Sequence, residues 1–445
     1  MTLFLDVTRI STRVIGSTPT GIDRVEYAYA TEIFSRHRDL NPVPIITTPL
    51  FSGALRREVF EDVLDRVAKA WKLERTPRQD QVYLDLKAYL EQPIDCRRLQ
   101  SFRVRGPTLK QRFRGQAIFP FRSLVRAPMR LARRIQRAAG QPNFYLNSSH
   151  TQLEQGNRFA WTKENDIGSL FFIHDIIPID FPEFVSPKSR ARHEGRLKTV
   201  SELGRTIIVN SDYTARSVAG YLESRGMRLP ETKVIPLGVT EWFLGGRELL
   251  PPSPGIPYFV LVSTIEPRKN MLFLFAVWRK LAQELGPRTP RLVIVGHRGW
   301  ENENVIDVLD RSSGLAPFLV EATDLSDAGL ASLLSGAAAL VSPSSVEGFG
   351  LPIAEALSLG VPAIVSSIPA HREVGGEQAF YIDPIDGMAW LKILTAFVNT
   401  NSAERSRALD MARNFKPFTL KEHVGIAADF ARALTEQTIR SHCLH

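Results

Sequence analysis

The feature that most constrains this chain is a rhythm that stops and restarts. Short apolar runs alternate with stretches of helical periodicity until LLPPSPGIP, at residues 249–257, interrupts them with prolines and a glycine; the alternation then begins again. TLFLDV, GSLFFIHDIIPI, RTIIVNSD and KVIPLGV read as strands of the first half, and YFVLVSTI, PRLVIVG, AALVSPSS and VPAIVSS as strands of the second. Strands that alternate with helices in this way build parallel sheets covered on both faces. At 445 residues the chain has room for two or three domains. The pattern predicts two α/β, doubly wound, Rossmann-like halves facing across a ligand cleft. The expected division is 1–250 for the first domain, with a basic insertion at about 96–140, and 251–415 for the second. No short fixed repeat is visible, which argues against a solenoid.

Composition excludes more than it selects. With 44% hydrophobic and 23% charged residues, this is an ordinary globular chain. Its two cysteines, Cys96 and Cys443, offer neither metal-ligand spacing nor a disulfide framework, which implies a reducing, cytoplasmic setting. Asp6 and Arg9 interrupt the apolar core that a signal peptide needs. No apolar run reaches the roughly 18 residues of a spanning helix. The net charge of +9 is concentrated: Arg97 to Arg137 hold thirteen basic residues and no acidic one, leaving 43 basic against 47 acidic residues elsewhere.

Four motifs fall where strands hand over to helices, the edge at which open α/β sheets bind ligands. In SSVEGFGLPIAEALSLGVP, Gly348 and Gly350 let the backbone approach a ligand closely, and Glu347 and Glu355 suit sugar and ribose hydroxyls. Two solvated glutamates beside a glycine turn would be the bland alternative. In STIEPRKNM, Arg268 and Lys269 suit a diphosphate. As a solvated pair at a helix start they would oppose the helix dipole, a conflict that a nearby anion would resolve. His174 and Asp175 end a very apolar strand, and Thr20 and Gly21 precede a helix, which by itself is a weak phosphate signal.

Taken in order, EGFGLPIAE preceded by VSPSS, together with EPRKN, HDIIP, NSDYTARSV, KVIPLGV and SSIPAHREVGG, resembles the retaining glycosyltransferases of family 4. The likeness covers most of the chain outside roughly residues 40–140, and its most specific part is the pair of glutamates eight apart. It implies the GT-B fold, with the C-terminal helix (416–445) crossing back to the first domain. It implies that Glu347 contacts the donor sugar, that Phe349, Gly350 and Leu351 offer backbone N–H groups, and that Glu355 binds the ribose. Lys269 and Arg268 would stabilise the nucleoside-diphosphate leaving group, His174 would hydrogen-bond the sugar, and Thr20 and Gly21 would cover the phosphates. Ser263 stands where many members carry an arginine, so Arg268 is assigned that task. The chain has no Asp-x-Asp motif, so no metal cofactor is expected and the fixed cations would do its work. The likeness further implies front-face retention and closure of the domains over the donor. The order of HDIIP and EPRKN looks like the mannosyltransferase-like branch, which implies GDP-mannose.

The basic stretch SLVRAPMRLARRIQRAAG places Arg126, Arg130, Arg133, Arg134 and Arg137 on one helical face and Ala127, Leu131, Ile135 and Ala138 on another. Such a helix suits anionic headgroups at the inner face of the plasma membrane, and with them a lipid-linked or lipopolysaccharide acceptor. The alternative is a helix whose apolar face packs on the first domain. Nucleic acid is not the expected partner, because interleaved stacking aromatics are missing and the cleft motifs would go unused. Two other readings stay open: a nucleotide-sugar epimerase of the same fold, which needs no acceptor, and a non-catalytic, membrane-recruited scaffold. Glu347→Ala separates them, abolishing transfer but sparing a scaffold's recruitment.

Overall fold

A computed structural model describes residues 1–13, 19–106 and 125–443 of the chain. Lys110, Arg112, Arg114 and Arg122 of the basic insertion lie outside the described residues, as do Phe113, Phe119 and Phe121.

Two seven-stranded sheets organise the described residues. The first runs β3(Ser52–Ala54)-β2(Val43–Thr47)-β1(Thr2–Asp6)-β5(Asn143–Asn147)-β6(Ile167–Ile173)-β7(Gly204–Val209)-β8(Glu231–Val234), parallel except for the β2–β3 hairpin. The second runs β14(Phe380–Ile382)-β13(Ala363–Ser366)-β12(Ala339–Ser342)-β9(Tyr258–Val262)-β10(Arg291–Val295)-β11(Leu319–Ala322)-β4(Phe102–Val104) and is parallel throughout. Strands such as TLFLD and RLVIV are buried at every residue because helices cover both faces, which is why they read as continuous apolar runs. Side-chain caps set several helix starts. Thr20 and Asp23 form a capping box on the helix Gly21–Arg36, and Ser211 accepts from the Thr214 N–H at the head of Asp212–Ser224.

The domain boundaries differ from the sequence expectation in two places. Ile235 and Leu237 pack in the first domain's core, Val239 and Phe243 in the second's, so the chain crosses near Gly238 and not at residues 249–257. The proline-rich run instead lies on the second domain, held by Leu249 and Leu250 and by the Leu250 N–H donating to Ser332 Oγ at 3.1 Å. Proline and glycine suppress regular structure locally; they do not decide which core a segment joins. Before that crossing, the chain has already visited the second domain. The helix Gln81–Leu90 buries Val82, Tyr83, Leu86 and Leu90 there, and β4 pairs with β11 as the sheet's edge. The assignment of all of 1–250 to the first domain is therefore corrected: an excursion through Gln81–Leu90 and β4 belongs to the second.

At its end the chain returns beside the first crossing. Val239 N–H donates to Phe418 O, Leu420 N–H donates to Val239 O, and the helix Leu420–Cys443 packs on Gly21–Arg36. The helix Ala127–Ala138 lays Ala127, Leu131, Ile135 and Ala138 on the first domain, and Arg130 Nε donates to Ala54 O at 2.9 Å. Its apolar face is thus occupied by protein, which corrects the picture of a helix free to insert that face into lipid. Arg126, Arg133, Arg134 and Arg137 remain exposed. Among the described residues no helix is long and apolar enough to cross a membrane.

Candidate active site

The site is built on the carboxyl edge of the second sheet and closed from above by the first domain. After β9, the turn Pro267–Lys269 presents Arg268 and Lys269 ahead of the helix Met271–Leu285. After β12, the turn that leads into the helix Leu351–Ser358 presents Glu347. The three side chains meet. Arg268 and Lys269 each form an ion pair with a different oxygen of Glu347, and Ser344 Oγ donates to Glu347 Oε1 at 2.8 Å. Arg268 also pairs with Glu266 at 2.6 Å and donates to Val346 O at 3.1 Å. Burial would push the Glu347 carboxyl up, but Arg268, Lys269 and His371 outweigh it and hold the group well below the usual carboxylate range. Lys269 is held below its ordinary value by burial and by Arg268 beside it. The anion that two cations before a helix require is, in this structure, Glu347.

Glycine geometry brings the domains into contact here. Gly350, at φ +108°, stands at the head of the helix Leu351–Ser358, and a Cβ there would press on His371 and Ile353 at 3.2 Å. A Cβ on Gly348 would lie 2.7 Å from the His174 carbonyl, so only glycine lets this turn rest on the loop after β6. Phe349 buries in the first domain's core, with Leu351 packed against the same cluster. Ser211 Oγ and Thr214 Oγ1 donate to Gly348 O at 3.0 and 3.3 Å, and the N–H groups of Asp212 and Tyr213 donate to the Glu373 carboxylate. Ser263 lies at the end of β9 with its Oγ buried and unpartnered, and its carbonyl meets Gly296.

On the first domain, His174 is buried and stacked on Phe172. Its backbone N–H donates to His150 Nε2 at 2.9 Å and its ring Nε2 donates to Ser148 O at 2.7 Å. Burial pushes its pKa down to about 4, so the ring is neutral. Thr20 and Gly21 sit exposed at the helix start, and a Cβ on Gly21 would meet nothing within 4 Å. Glu355 is 1% exposed and receives Arg24 Nη1 at 2.7 Å. Burial, with Asp327 as a like charge, pushes it up to about 7 against the pull of Arg24.

Sequence reasoning missed Arg24, Asp327, Glu373 and His371, although DRVE and AHREV lay inside quoted motifs. It also missed Asp6 and Glu26, a buried carboxyl pair at the carboxyl end of the interior strand β1 and on the helix Gly21–Arg36. A strand ending in an acidic residue was the available signal for Asp6. Among the described residues no group of His, Cys, Asp or Glu is arranged to hold a metal.

Two α/β domains of seven strands each, with a site between them, form a two-domain Rossmann-like architecture. Anabaena HepE, in its crystal structure with UDP and glucose, superposes with a TM-score of 0.57 over 97% of this chain and 99% of its own, at 15% identity. The fold is GT-B. Residues 256–399 match the family described as glycosyl transferases group 1. That match lies within the second domain, and the chain is also similar in sequence to curated mannosyltransferases. It is 30% identical over 229 residues to O-antigen chain mannosyltransferase B of Escherichia coli, a match covering 48% of this chain and 56% of that one. It is also 30% identical over 228 residues to the serotype-specific mannosyltransferase WbdA of Escherichia coli, covering 47% and 27%. The chain thus spans about half of the first relative and about a quarter of the second.

Proposed function

We propose that the chain is a metal-independent, retaining glycosyltransferase that moves a sugar from a nucleotide-sugar, GDP-mannose, to a glycan or lipid-linked glycan in surface polysaccharide biosynthesis. The observation that carries this reading is the buried cluster of Arg268, Lys269 and Glu347 under the His174 loop of the opposite domain. Two fixed cations at a strand's carboxyl edge supply the charge that a departing diphosphate needs. Glu347, once released from them, is an acceptor for sugar hydroxyls, and Glu355 faces the ribose. Neutral His174, with its Nε2–H given to Ser148 O, keeps Nδ1 to accept a hydrogen bond from a sugar hydroxyl without adding charge. Choice of mannose rests on the names of the relatives, and a surface-polysaccharide acceptor on the O-antigen in the name of one of them. Exposed arginines of the helix Ala127–Ala138 would hold the enzyme at anionic headgroups on the inner face of the plasma membrane by charge alone.

Calorimetric titration with GDP, UDP, dTDP and CMP in the presence of EDTA tests the reading. One diphosphate is expected to bind, and Lys269→Ala to weaken it about 10- to 100-fold, the worth of one charge-assisted hydrogen bond. Glu347→Gln is expected to keep nucleotide binding and lose sugar transfer. Absence of binding for every nucleotide, or full affinity in Lys269→Ala, would overturn it and favour the scaffold.

A further inference from the structure

Arg24 belongs to the first domain, four residues past the cap of Gly21–Arg36, yet its guanidinium ends in the second. Nη1 donates to Glu355 Oε1 at 2.7 Å and Nη2 donates to Asp327 Oδ1 at 2.6 Å. The arginine side chain is 13% exposed, and the carboxylates 2% and 5%. Asp327 Oδ2 also receives Thr240 Oγ1 at 3.2 Å, whereas Glu355 has no further hydrogen-bond partner among the described residues. Arg24 Nε is buried and unpartnered.

Stability alone does not account for this arrangement. A buried ion pair repays little more than its own desolvation, and apolar side chains would join two domains at least as well. Its position is more telling. Glu355 lies on the helix that starts at the Gly348–Gly350 turn, and Arg24 on the helix that starts at Thr20 and Gly21, so one guanidinium links the two helix heads that border the cleft. It grips Glu355 by a single oxygen and fixes the direction of the other. Without Arg24 two carboxylates would share a buried site with no cation, and one of them would take up a proton. A protonated Glu355 accepts fewer and weaker hydrogen bonds than the anion.

We propose that Arg24 is a positioning residue for donor recognition: it holds Glu355 ionised and oriented toward the ribose hydroxyls of a nucleoside diphosphate, and does so only when the first domain is docked on the second. Nucleotide affinity and domain closure are thereby one equilibrium, read through a single side chain. The inference rests on the nucleotide-sugar reading given above.

The test is calorimetry from pH 6 to 9 with whichever nucleoside diphosphate the wild type binds, on wild type, Arg24→Met and Arg24→Lys, together with X-ray scattering of each protein without nucleotide. The groups facing Glu355 are Arg24 and Asp327, and Asp23 also acts on Arg24. Wild-type affinity is expected to rise with pH through about 7, as Glu355 ionises. Arg24→Met is expected to bind about 10-fold or more weakly at pH 7, with its midpoint displaced to higher pH and its radius of gyration increased. Arg24→Lys, which keeps the charge without the two-armed grip, should fall between. Wild-type affinity, pH midpoint and scattering in Arg24→Met would overturn the proposal. If Arg24→Met does not fold, an unchanged affinity and midpoint in Arg24→Lys would overturn it equally. If the wild type binds no nucleoside diphosphate, the nucleotide-sugar reading fails instead, and an unchanged radius of gyration would then remove the docking half of this proposal as well.

Discussion

Replacing Glu26 with glutamine should stabilise the protein in alkaline solution and do much less in acid. Glu26 lies on the helix Gly21–Arg36, fully buried, with Oε1 accepting the Ile10 N–H at 3.1 Å and Oε2 unpartnered. Asp6 is its neighbour and accepts from Tyr145 Oη at 2.7 Å, Thr47 Oγ1 at 3.0 Å and the Thr8 N–H at 3.0 Å. With three donors against one, Asp6 is the better-supported anion of the pair and the proton resides on Glu26. Burial, then Asp6, pushes Glu26 up to about 8 from an ordinary 4.5. The unfolded chain therefore loses this proton near pH 4.5 and the folded chain keeps it to about 8. Between those values folding binds a proton, so stability falls as pH rises, by about 1.4 kcal/mol per pH unit and roughly 5 kcal/mol across the window. Glutamine keeps the shape and cannot ionise. Thermal unfolding of wild type and Glu26→Gln at pH 5.5, 7 and 8.5 reads the difference. About 1.4 kcal/mol of this penalty is already present at pH 5.5, so the variant should melt about 3–6 °C higher there and roughly 9–18 °C higher at pH 8.5, taking about 2–4 °C per kcal/mol for a domain of this size. A gap that stays constant with pH, or a wild type that gains on the variant in alkali, would show that Glu26 is ionised in the fold and refute the reasoning.

Two further experiments probe how the domains and the basic helix are used. A Cβ on Gly238 would fall 2.0 Å from the Thr419 carbonyl carbon, so Gly238→Ala should pry apart the two interdomain crossings and cost about 1–3 kcal/mol in chemical denaturation. Gly220→Ala, in open space on the helix Asp212–Ser224, should be neutral or stabilising in the same assay, and equal behaviour of the two would contradict the crossing geometry. Charge reversal at exposed Arg133 and Arg134 should reduce co-sedimentation with phosphatidylglycerol vesicles about tenfold or more while nucleotide binding is unchanged; equal sedimentation would assign the helix a purely structural role.

The alternation of strands and helices was legible because buried parallel strands must be apolar at every position, as in TLFLD and YFVLV. Membership of a domain was not. Phe102–Val104 carries no mark that it will pair with Leu319–Ala322 across more than two hundred residues, and a proline-rich run looks the same inside a domain as between two. The site shows the same division. Arg268, Lys269 and Glu347 were legible as chemistry at strand ends, and the structure brings those three into contact. Arg24 was not, because its partners lie 331 and 303 positions away and nothing local distinguishes it from a solvated helix arginine. His371 was overlooked for a related reason: its ring Nδ1 lies within hydrogen-bonding distance of Ser366, and only the fold sets that ring against Gly350.

The charge balance of the site has a consequence for the order in which its parts act. Arg268 and Lys269 face Glu347 and Glu266, so the cluster is neutral as it stands, and the two cations are engaged by carboxylates. A dianionic diphosphate entering under the proposed function must compete for those cations with Glu347, whose carboxyl they hold far below its ordinary pKa. Whatever fraction of that pairing the diphosphate replaces is returned as a free, ionised Glu347 one residue ahead of the Gly348–Gly350 turn. The group that recognises the sugar then becomes available only as the phosphates are bound. A sugar without its nucleotide meets a carboxylate already committed to Arg268 and Lys269, and a nucleotide without its sugar leaves Glu347 unpaired in a buried place, at a cost of order a few kcal/mol. Under the proposed function only the intact nucleotide-sugar would both replace Glu347 on the cations and give Glu347 a new partner, which would build discrimination against free sugar and spent nucleotide into three side chains.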